Sequence, residues 1–424
     1  MSLYSDPLST LIDSLKARSA VYESDTMKKS LRALSMQTPP FPHVLVGGTN
    51  GKGSVCRITA DILSKSGKKT GLFLTPHLLR VQERISIDGK EITGSDLLKI
   101  HQELEASLKS FYQAGHRALS FFESMLLVAI AYFQREAVDI AVFEVGLGGH
   151  RDACAALKPC LSMVTNISED HLHILGPTLE DVCRNKAGLI FANTPFYYGA
   201  DDEFRTIFQE ECKHKNAAFL PHQNFLRNQK AGVDGLRGEM KWEGQWHDFL
   251  LSLRGEVQSE NLNSSLVLCS HLPRVLRPSA AQIQKALGKV KHPCRLEKFH
   301  ENPLIFVDGS HNLAGIHSLL SWLRKTVGKN NVLLAMSIKE NKDHQRIARL
   351  LKGWNLLIFR PSGPGFLSLS KAKKLYLEAQ TKSSLSQVLD HFFRINNRKK
   401  CLVFFGSLKG SAKTREILPS LMRK

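Results

Sequence analysis

Val44-Leu-Val-Gly-Gly-Thr-Asn-Gly-Lys-Gly-Ser-Val55 joins an apolar run to a cluster of glycines, a lysine and a hydroxyl side chain. That order predicts a strand, a phosphate-cradling turn and the start of a helix. Glycines at 47, 48, 51 and 53 let successive backbone amides turn toward an anion without Cβ clashes, and a helix opening near Ser54 adds the positive end of its dipole. Lys52 supplies a mobile charge for phosphate oxygens. The stretch departs from G-x-x-x-x-G-K-[ST] twice, because Val46 stands at the first glycine position and Gly53 separates Lys52 from Ser54. A glycine-rich turn with no ligand is the competing interpretation.

Outward from this loop the chain alternates strand and helix patterns. Helical spacing at residues 7–18 and 27–36 stops at Pro39-Pro40 and Pro42, just before the loop strand. After the loop helix, closed by Gly67, a strand at 70–74 ends in Thr75-Pro76-His77-Leu78-Leu79-Arg80. Alternation around Asp88-Gly89 predicts a hairpin. Helical patterns at 95–109 and 122–135 lead to an apolar strand at 138–144 that finishes on Glu144, just before Val-Gly-Leu-Gly-Gly149. Ligands of open α/β sheets bind at strand C-termini, so this carboxylate is placed to hold Mg²⁺ beside phosphates, unless it is a strand-end glutamate with no role. A fourth strand at 161–165 runs into Asn166-Ile-Ser-Glu-Asp170-His171-Leu-His173, and the helix from about Thr178 contains Lys186-Ala-Gly188. The D-H-x-H cluster lacks further ligands at zinc spacing, which favours Mg²⁺ chemistry or packing for the histidine. Residues 195–250 offer short strands and polar helices with no chemistry to name; helical patterns at 260–272 and 279–289 close the first domain. His292-Pro293-Cys294-Arg295 marks a boundary. Beyond it come strands at 304–307, 331–336, 355–360 and 401–405, helices that include 370–379 and 384–394, and the motif Asp308-Gly-Ser-His311-Asn312. The fold class is α/β, a nucleotide-binding domain at 1–294 followed by a smaller α/β domain at 295–424.

Composition bounds the function. With 424 residues, 42% hydrophobic and 23% charged, the chain has the make-up of an ordinary soluble protein with room for two or three cores. A net charge of +19 favours polyanions without choosing between nucleotides, polycarboxylates and nucleic acid. The basic residues are spread out, with only short clusters such as Asn397-Arg-Lys-Lys400. Eight cysteines without a C-x-x-C pair indicate idle thiols in a reducing cytosol, and neither a secretion signal nor a membrane-spanning run is evident.

Gly48-Thr-Asn-Gly-Lys-Gly-Ser54, Thr75-Pro-His77, Glu144-Val-Gly-Leu-Gly-Gly149, Asp170-His171, Lys186-Ala-Gly188 and Asp308-Gly-Ser-His-Asn312 occur in one order. That order resembles the folylpolyglutamate synthase / dihydrofolate synthase family within the Mur ligase superfamily, over roughly residues 40–424. G-T-N-G-K-G-S together with P-H-L-x-R-x-x-E-R, here Pro76 to Arg84, points to the folate branch. The resemblance implies a P-loop Mur-ligase-like ATPase domain, a Rossmann-like C-terminal domain and substrates meeting between them. It implies an ATP-dependent ligase that adds L-glutamate to dihydropteroate, folates or both through an acyl phosphate.

The resemblance also assigns residues. Gly48, Thr49, Asn50, Gly51, Lys52, Gly53 and Ser54 would hold phosphates, Asn261 the adenine side, Arg295 an ATP phosphate and Asp308 the ribose. Thr75 and Glu144 would bind one Mg²⁺, and Glu144, His171 and a carbamylated Lys186 a second, with Lys52, His171 and Lys186 as the catalytic set. Pro76, His77, Arg80, Phe122, Glu123 and Asp152 would border the pterin substrate, and His311 and Ser407 the incoming glutamate. The implied protein is a cytoplasmic monomer whose partners are ATP, L-glutamate and a pteroate or folate rather than nucleic acid or membrane. Two departures stand out: Gly149-His150-Arg-Asp-Ala-Cys-Ala155 replaces the usual G-R-x-D-A-T-N, and Pro293-Cys294-Arg295 lacks the glycine of P-G-R. A Mur-type ligase for another carboxylate and a basic P-loop ATPase that binds nucleic acid are the alternatives.

Overall fold

The computed structural model describes residues 6–18, 23–169, 172–395 and 401–422. Contacts divide the chain into two units, one of Met1–Leu226, Met240–His247 and Glu260–Leu287, the other of Arg227–Glu239, Asp248–Ser259 and Gly288–Lys424.

The first unit is built on strands β1 (His43–Gly47), β2 (Thr70–Phe73), β3 (Ile85–Ile87), β4 (Lys90–Glu91), β5 (Ile140–Glu144), β6 (Leu161–Val164) and β7 (Phe196–Tyr198). They form one sheet in the order β4-β3-β2-β5-β1-β6-β7, parallel from β2 to β7 with the β3-β4 hairpin on its edge. The hairpin turns at Asp88 and Gly89, both at positive φ, as the sequence predicts. Every residue of β1, β2 and β5 is buried, which explains their unbroken apolar runs. Leu45, Phe73 and Phe143 pack with the Phe121–Arg135 helix, while Val44, Val46, Leu72 and Val142 pack with the Lys52–Lys65 helix. A Cβ on Gly71 would stand 2.9 Å from the Phe133 ring, so glycine lets the first of these helices close on the sheet. β1 lies between β5 and β6, and consecutive strands depart from it in opposite directions. That places the β1 C-terminus at the topological switch point, where open α/β sheets bind ligands.

Strands β8 (Leu226–Gly232), β9 (Gly235–Trp242) and β10 (Gln245–Leu251) form a separate sheet in the order β10-β9-β8. The sequence pattern predicts short strands and polar helices here. β8 exposes four successive residues, Arg227 to Lys230, and so lacks the alternation that marks a strand in sequence.

The second unit contains β11 (Glu297–His300), β12 (Leu304–Val307), β13 (Val332–Met336), β14 (Leu356–Phe359), β15 (Gln380–Lys382) and β16 (Cys401–Phe405), in the order β11-β12-β16-β13-β14-β15. All are parallel except the edge strand β11. The helix expected at 370–379 ends at Leu375, and the polar Gln380–Lys382 segment adds to β14 instead. Apolar side chains of four strands and the Leu313–Thr326 helix share one core around Phe306, Trp322, Leu334 and Val403.

Cys294 stands at φ 57 and Leu296 at φ 43, on either side of Arg295. A β-branched residue is poorly tolerated in the left-handed region. Cys294→Val is therefore expected to cost about 2 kcal/mol. Cys294→Gly is expected to change stability by less than about 1 kcal/mol, because relief of strain offsets the lost burial and the added chain entropy. Urea denaturation of both variants checks the contrast, and equal losses would refute it.

Candidate active site

The phosphate loop is latched to the end of β6. Thr165 Oγ1 donates to Asn50 O at 2.6 Å, and Asn166 both donates its amide to Asn50 O and accepts from Asn50 N, each at 3.1 Å. Thr49 N donates to Asn166 O at 3.0 Å, and its hydroxyl accepts from Ser168 N at 3.1 Å. Two loop amides expected to hold phosphate thus serve the loop itself, which leaves the first turn of the Lys52–Lys65 helix as the anion-facing end. That helix begins at Lys52, two residues earlier than the sequence pattern suggests. Gly48 (φ 132) and Gly51 (φ 84) are required: a Cβ would stand 1.9 Å from Thr165 Oγ1 at the first and 2.3 Å from Asn261 Oδ1 at the second. The second contact sets buried Asn261, on the Gln258–His271 helix, directly over the loop. Lys52 Nζ folds back on the loop and donates to Gly48 O at 3.0 Å and Thr49 O at 3.1 Å.

Glu144 ends β5 in register with Val46 of β1. It is 6% exposed, and Oε2 accepts from Thr75 N at 2.8 Å. Arg84, 7% exposed, donates to Thr75 Oγ1 at 2.7 Å and to His77 Nδ1 at 2.8 Å, with its guanidinium 5.1 Å from the Phe121 ring centre. Burial pushes the Arg84 guanidinium down to about 10, and the Glu144 charge opposes that fall. The sequence motif Pro76 to Arg84 includes this arginine without giving it the task of holding Thr75 and His77. Lys186, 3% exposed, donates Nζ to Gly48 O at 3.0 Å, so the phosphate loop, Glu144 and Lys186 share the C-terminal ends of β1 and β5.

The altered loop after Glu144 is held internally. Asp152 accepts from Leu147 N and Cys154 N at 2.8 and 2.9 Å, and Asn185 Oδ1 accepts from Gly149 N at 2.9 Å. Burial raises the Asp152 carboxyl above its usual range, against the lowering effect of those two amides. Cys154, in place of the usual threonine, packs its thiol 4.0 Å from Glu144 O. A Cβ on Gly188 would stand 2.2 Å from His150 N, which explains the glycine after Lys186-Ala.

Glu123 is 1% exposed, caps its own helix with Ser120, and takes both donors of Arg117 at 2.8 Å, so the structure gives it a folding task. Phe122 lies 5.8 Å from Phe73, and exposed Arg80 pairs with Glu91. Asp170 and His171 lie outside the described residues, as does the His173 side chain and the 397–400 cluster. Among the described residues no three His, Cys, Asp or Glu side chains form a metal cluster. The donors that remain, the Thr75 hydroxyl and the Glu144 carboxylate, are hard oxygens of the kind Mg²⁺ takes. Seven of the eight cysteines are buried and all are free.

In the second unit the residues singled out by sequence stand at the C-terminal ends of the parallel strands. Asp308 follows β12 and accepts from Leu296 N at 2.7 Å and Ser310 N at 2.8 Å. His311 Nδ1 lies 2.9 Å from Gly309 O. Buried Ser407 follows β16 and caps the Leu408–Leu421 helix by accepting from Gly410 N. Arg295 is half-buried between the two left-handed residues.

The chain is similar to known proteins over most of its length. A Bacillus subtilis dihydrofolate synthase/folylpolyglutamate synthase is 28% identical over 314 residues, 72% of this chain and 73% of the relative. The Escherichia coli FolC structure in complex with DHPP and ADP superposes with a TM-score of 0.84 at 23% identity, over 99% of both chains. The Yersinia pestis bifunctional folylpolyglutamate synthase/dihydrofolate synthase, complexed with AMPPNP and Mn ion, gives 0.84 at 22% identity over 98% of both. These two structures share the fold. The Mur ligase middle domain matches residues 46–269, more than half of the chain, and takes in the phosphate loop, Glu144, Lys186 and Asn261. The chain belongs to the Mur ligase family, and its relatives there are folylpolyglutamate and dihydrofolate synthases.

Proposed function

We propose that the protein is an ATP-dependent ligase that joins L-glutamate to dihydropteroate, to folates or to both. The observation that carries this reading is the convergence of the phosphate loop, Glu144 and Lys186 at the ends of β1 and β5. A carboxylate is a poor electrophile until it is phosphorylated. Its oxygen attacks the γ-phosphorus of ATP and releases ADP; the glutamate amine then attacks the acyl phosphate, loses a proton and expels phosphate. Both steps build charge on phosphate oxygens, and cations and amides stabilise that charge.

Each residue has a task in this scheme. Lys52 leaves its two loop carbonyls for the β- and γ-phosphate oxygens, helped by the first amides of its helix. Thr75 and Glu144 are assigned to one Mg²⁺, and Glu144, His171 and a carbamylated Lys186 to a second; bound there, Mg²⁺ supplies charge neutralisation on the phosphates. Arg84 holds the Thr75 hydroxyl and His77 in place beside Glu144. Asn261 is assigned to the adenine side, Asp308 to the ribose and Arg295 to a phosphate. Pro76, His77, Arg80 and Phe122 are assigned to the pterin substrate, with Glu123 and Asp152 shaping the helix and loop beside it. His311 and Ser407 are assigned to the incoming glutamate. Residues 1–294 are thus assigned to the pterin substrate and the greater part of ATP, and 295–424 to glutamate together with the ribose and one phosphate of ATP, in a cytoplasmic monomer.

Phosphate release measured with ATP, glutamate and dihydropteroate, dihydrofolate or tetrahydrofolate in turn tests the reading. Release that depends on a pterin carboxylate and on glutamate is expected. ATP turnover stimulated instead by DNA or RNA, or by none of the three pterins, would refute it.

A further inference from the structure

The two residues that lead into the Asp25–Ala33 helix are tied to both sides of the surface assigned to the pterin substrate. Ser24 holds the N-cap position of that helix, where a serine ordinarily accepts from an amide of the first turn, yet its side chain makes no such bond. It is buried and donates instead to His150 O at 3.0 Å, on the altered loop after Glu144. Glu23 is tied to the other side. Its Oε1 accepts from Thr26 Oγ1 at 2.8 Å and from Arg117 Nε at 3.0 Å, and these partners, in that order, hold the carboxyl below its usual range. Arg117 in turn directs both terminal nitrogens at Glu123, each at 2.8 Å, beside Phe122. A continuous line therefore runs from the start of the Phe121–Arg135 helix through Arg117, Glu23 and Ser24 to the backbone of the loop.

Each side keeps its own shape without this line. The helix start is closed by the capping box of Ser120 and Glu123, and the loop by the bonds to Asp152 and Asn185. What Glu23 and Ser24 add is the placement of one side against the other. The two sides meet at Gly146, where a Cβ would stand 3.0 Å from Phe122 Cζ and 3.1 Å from Asp152 Oδ2. The Asp25–Ala33 helix supports the arrangement, since its Met27 and Leu31 lie in one core with Ala153 and Cys154 of the loop. A flat ring laid against Phe122 depends on this placement, because a gap of about 0.5–1 Å already forfeits a quarter to a half of a contact's attraction. We propose that Glu23 and Ser24 are positioning residues for the pterin substrate, which together set the Phe122 ring against the 146–155 loop. Neither side chain needs to touch the substrate to do so. The inference rests on the ligase reading above.

The test compares the unaltered full chain with Glu23→Ala, Ser24→Ala and the double variant. It measures Kd for pteroate from the fluorescence of its pterin ring, KM for dihydropteroate, ATP and glutamate, and the melting temperature. Each single variant is expected to raise the pteroate Kd and the dihydropteroate KM about fivefold, with KM for ATP and for glutamate within about twofold and melting within about 4 °C. Glu23→Gln keeps the acceptor oxygen of a half-exposed side chain, and it is expected to stay within about twofold of the unaltered protein throughout. The line of bonds runs in series, so one break frees both sides. The double variant is therefore expected to match the weaker single variant and not the product of the two, about 25-fold. Unchanged pteroate binding in both single variants overturns the proposal. So does a proportional rise in KM for all the substrates, which marks a general structural role, or a double variant at the full product, which marks two independent contacts. If the unaltered protein binds pteroate and the single variants bind it equally well, this inference fails and the ligase reading stands; if the unaltered protein binds none, both fail.

Discussion

Lys52→Ala is expected to lower kcat/KM for the ligation by about 10³-fold and to leave the melting temperature within about 2 °C of the parent. The two halves of this prediction have separate causes. Among the described residues Lys52 Nζ bonds only the carbonyls of its own loop, Gly48 and Thr49, and that loop is independently latched by Thr165 and Asn166. Loss of the ammonium therefore leaves the fold its principal ties. The phosphoryl-transfer transition state has no such reserve, because the backbone amides of Thr49 and Asn50 are already engaged by Asn166. Single-turnover ADP formation, together with a melting curve, measures both halves. Near-normal turnover in a folded Lys52→Ala protein would remove the phosphate loop from the mechanism.

The first unit was legible in the sequence because its signals are local. A five-residue buried run, a glycine cluster and a lysine place β1, the loop and the helix whatever the rest of the chain does. The second unit's strands could be read for the same reason, since parallel strands buried on both faces give unbroken apolar runs. What was lost was the polar periphery. β8 and β15 are exposed segments whose pairing partners, not their own composition, make them strands. The site divided in the same way. Residues that announce chemistry, such as Lys52, Glu144 and Lys186, could be named in advance. The tasks of Arg84, Asn166 and Asn185 could not be read there, because each works through a hydrogen bond to another turn: Arg84 to Thr75, Asn166 to Asn50, Asn185 to Gly149. Glu123 shows the converse, a carboxylate whose capping box and arginine partner become visible only when the helix start is placed against Arg117.

Lys186→Ala is expected to lower kcat by about 10² to 10³-fold, and a short-chain carboxylic acid is expected to restore part of that loss. The side chain is 3% exposed and donates to Gly48 O, and the same carbonyl accepts from Lys52. Two ammonium groups on one carbonyl would repel each other and any divalent cation held by Glu144. Carbamylation would resolve the conflict: a neutral amine would add CO₂, release a proton and become an anionic oxygen donor of the hard type Mg²⁺ prefers. A divalent cation bound beside the carbamate would hold it there. A free carboxylate diffusing into the space left by Lys186→Ala would replace the donor oxygen, which no structural role for the lysine explains. Protein prepared in ¹³C-bicarbonate is expected to show a carbamate carbon signal that Lys186→Ala lacks. Full activity in Lys186→Arg, which keeps the cation and cannot form the carbamate in this way, would overturn the assignment and leave Lys186 a phosphate-binding ammonium.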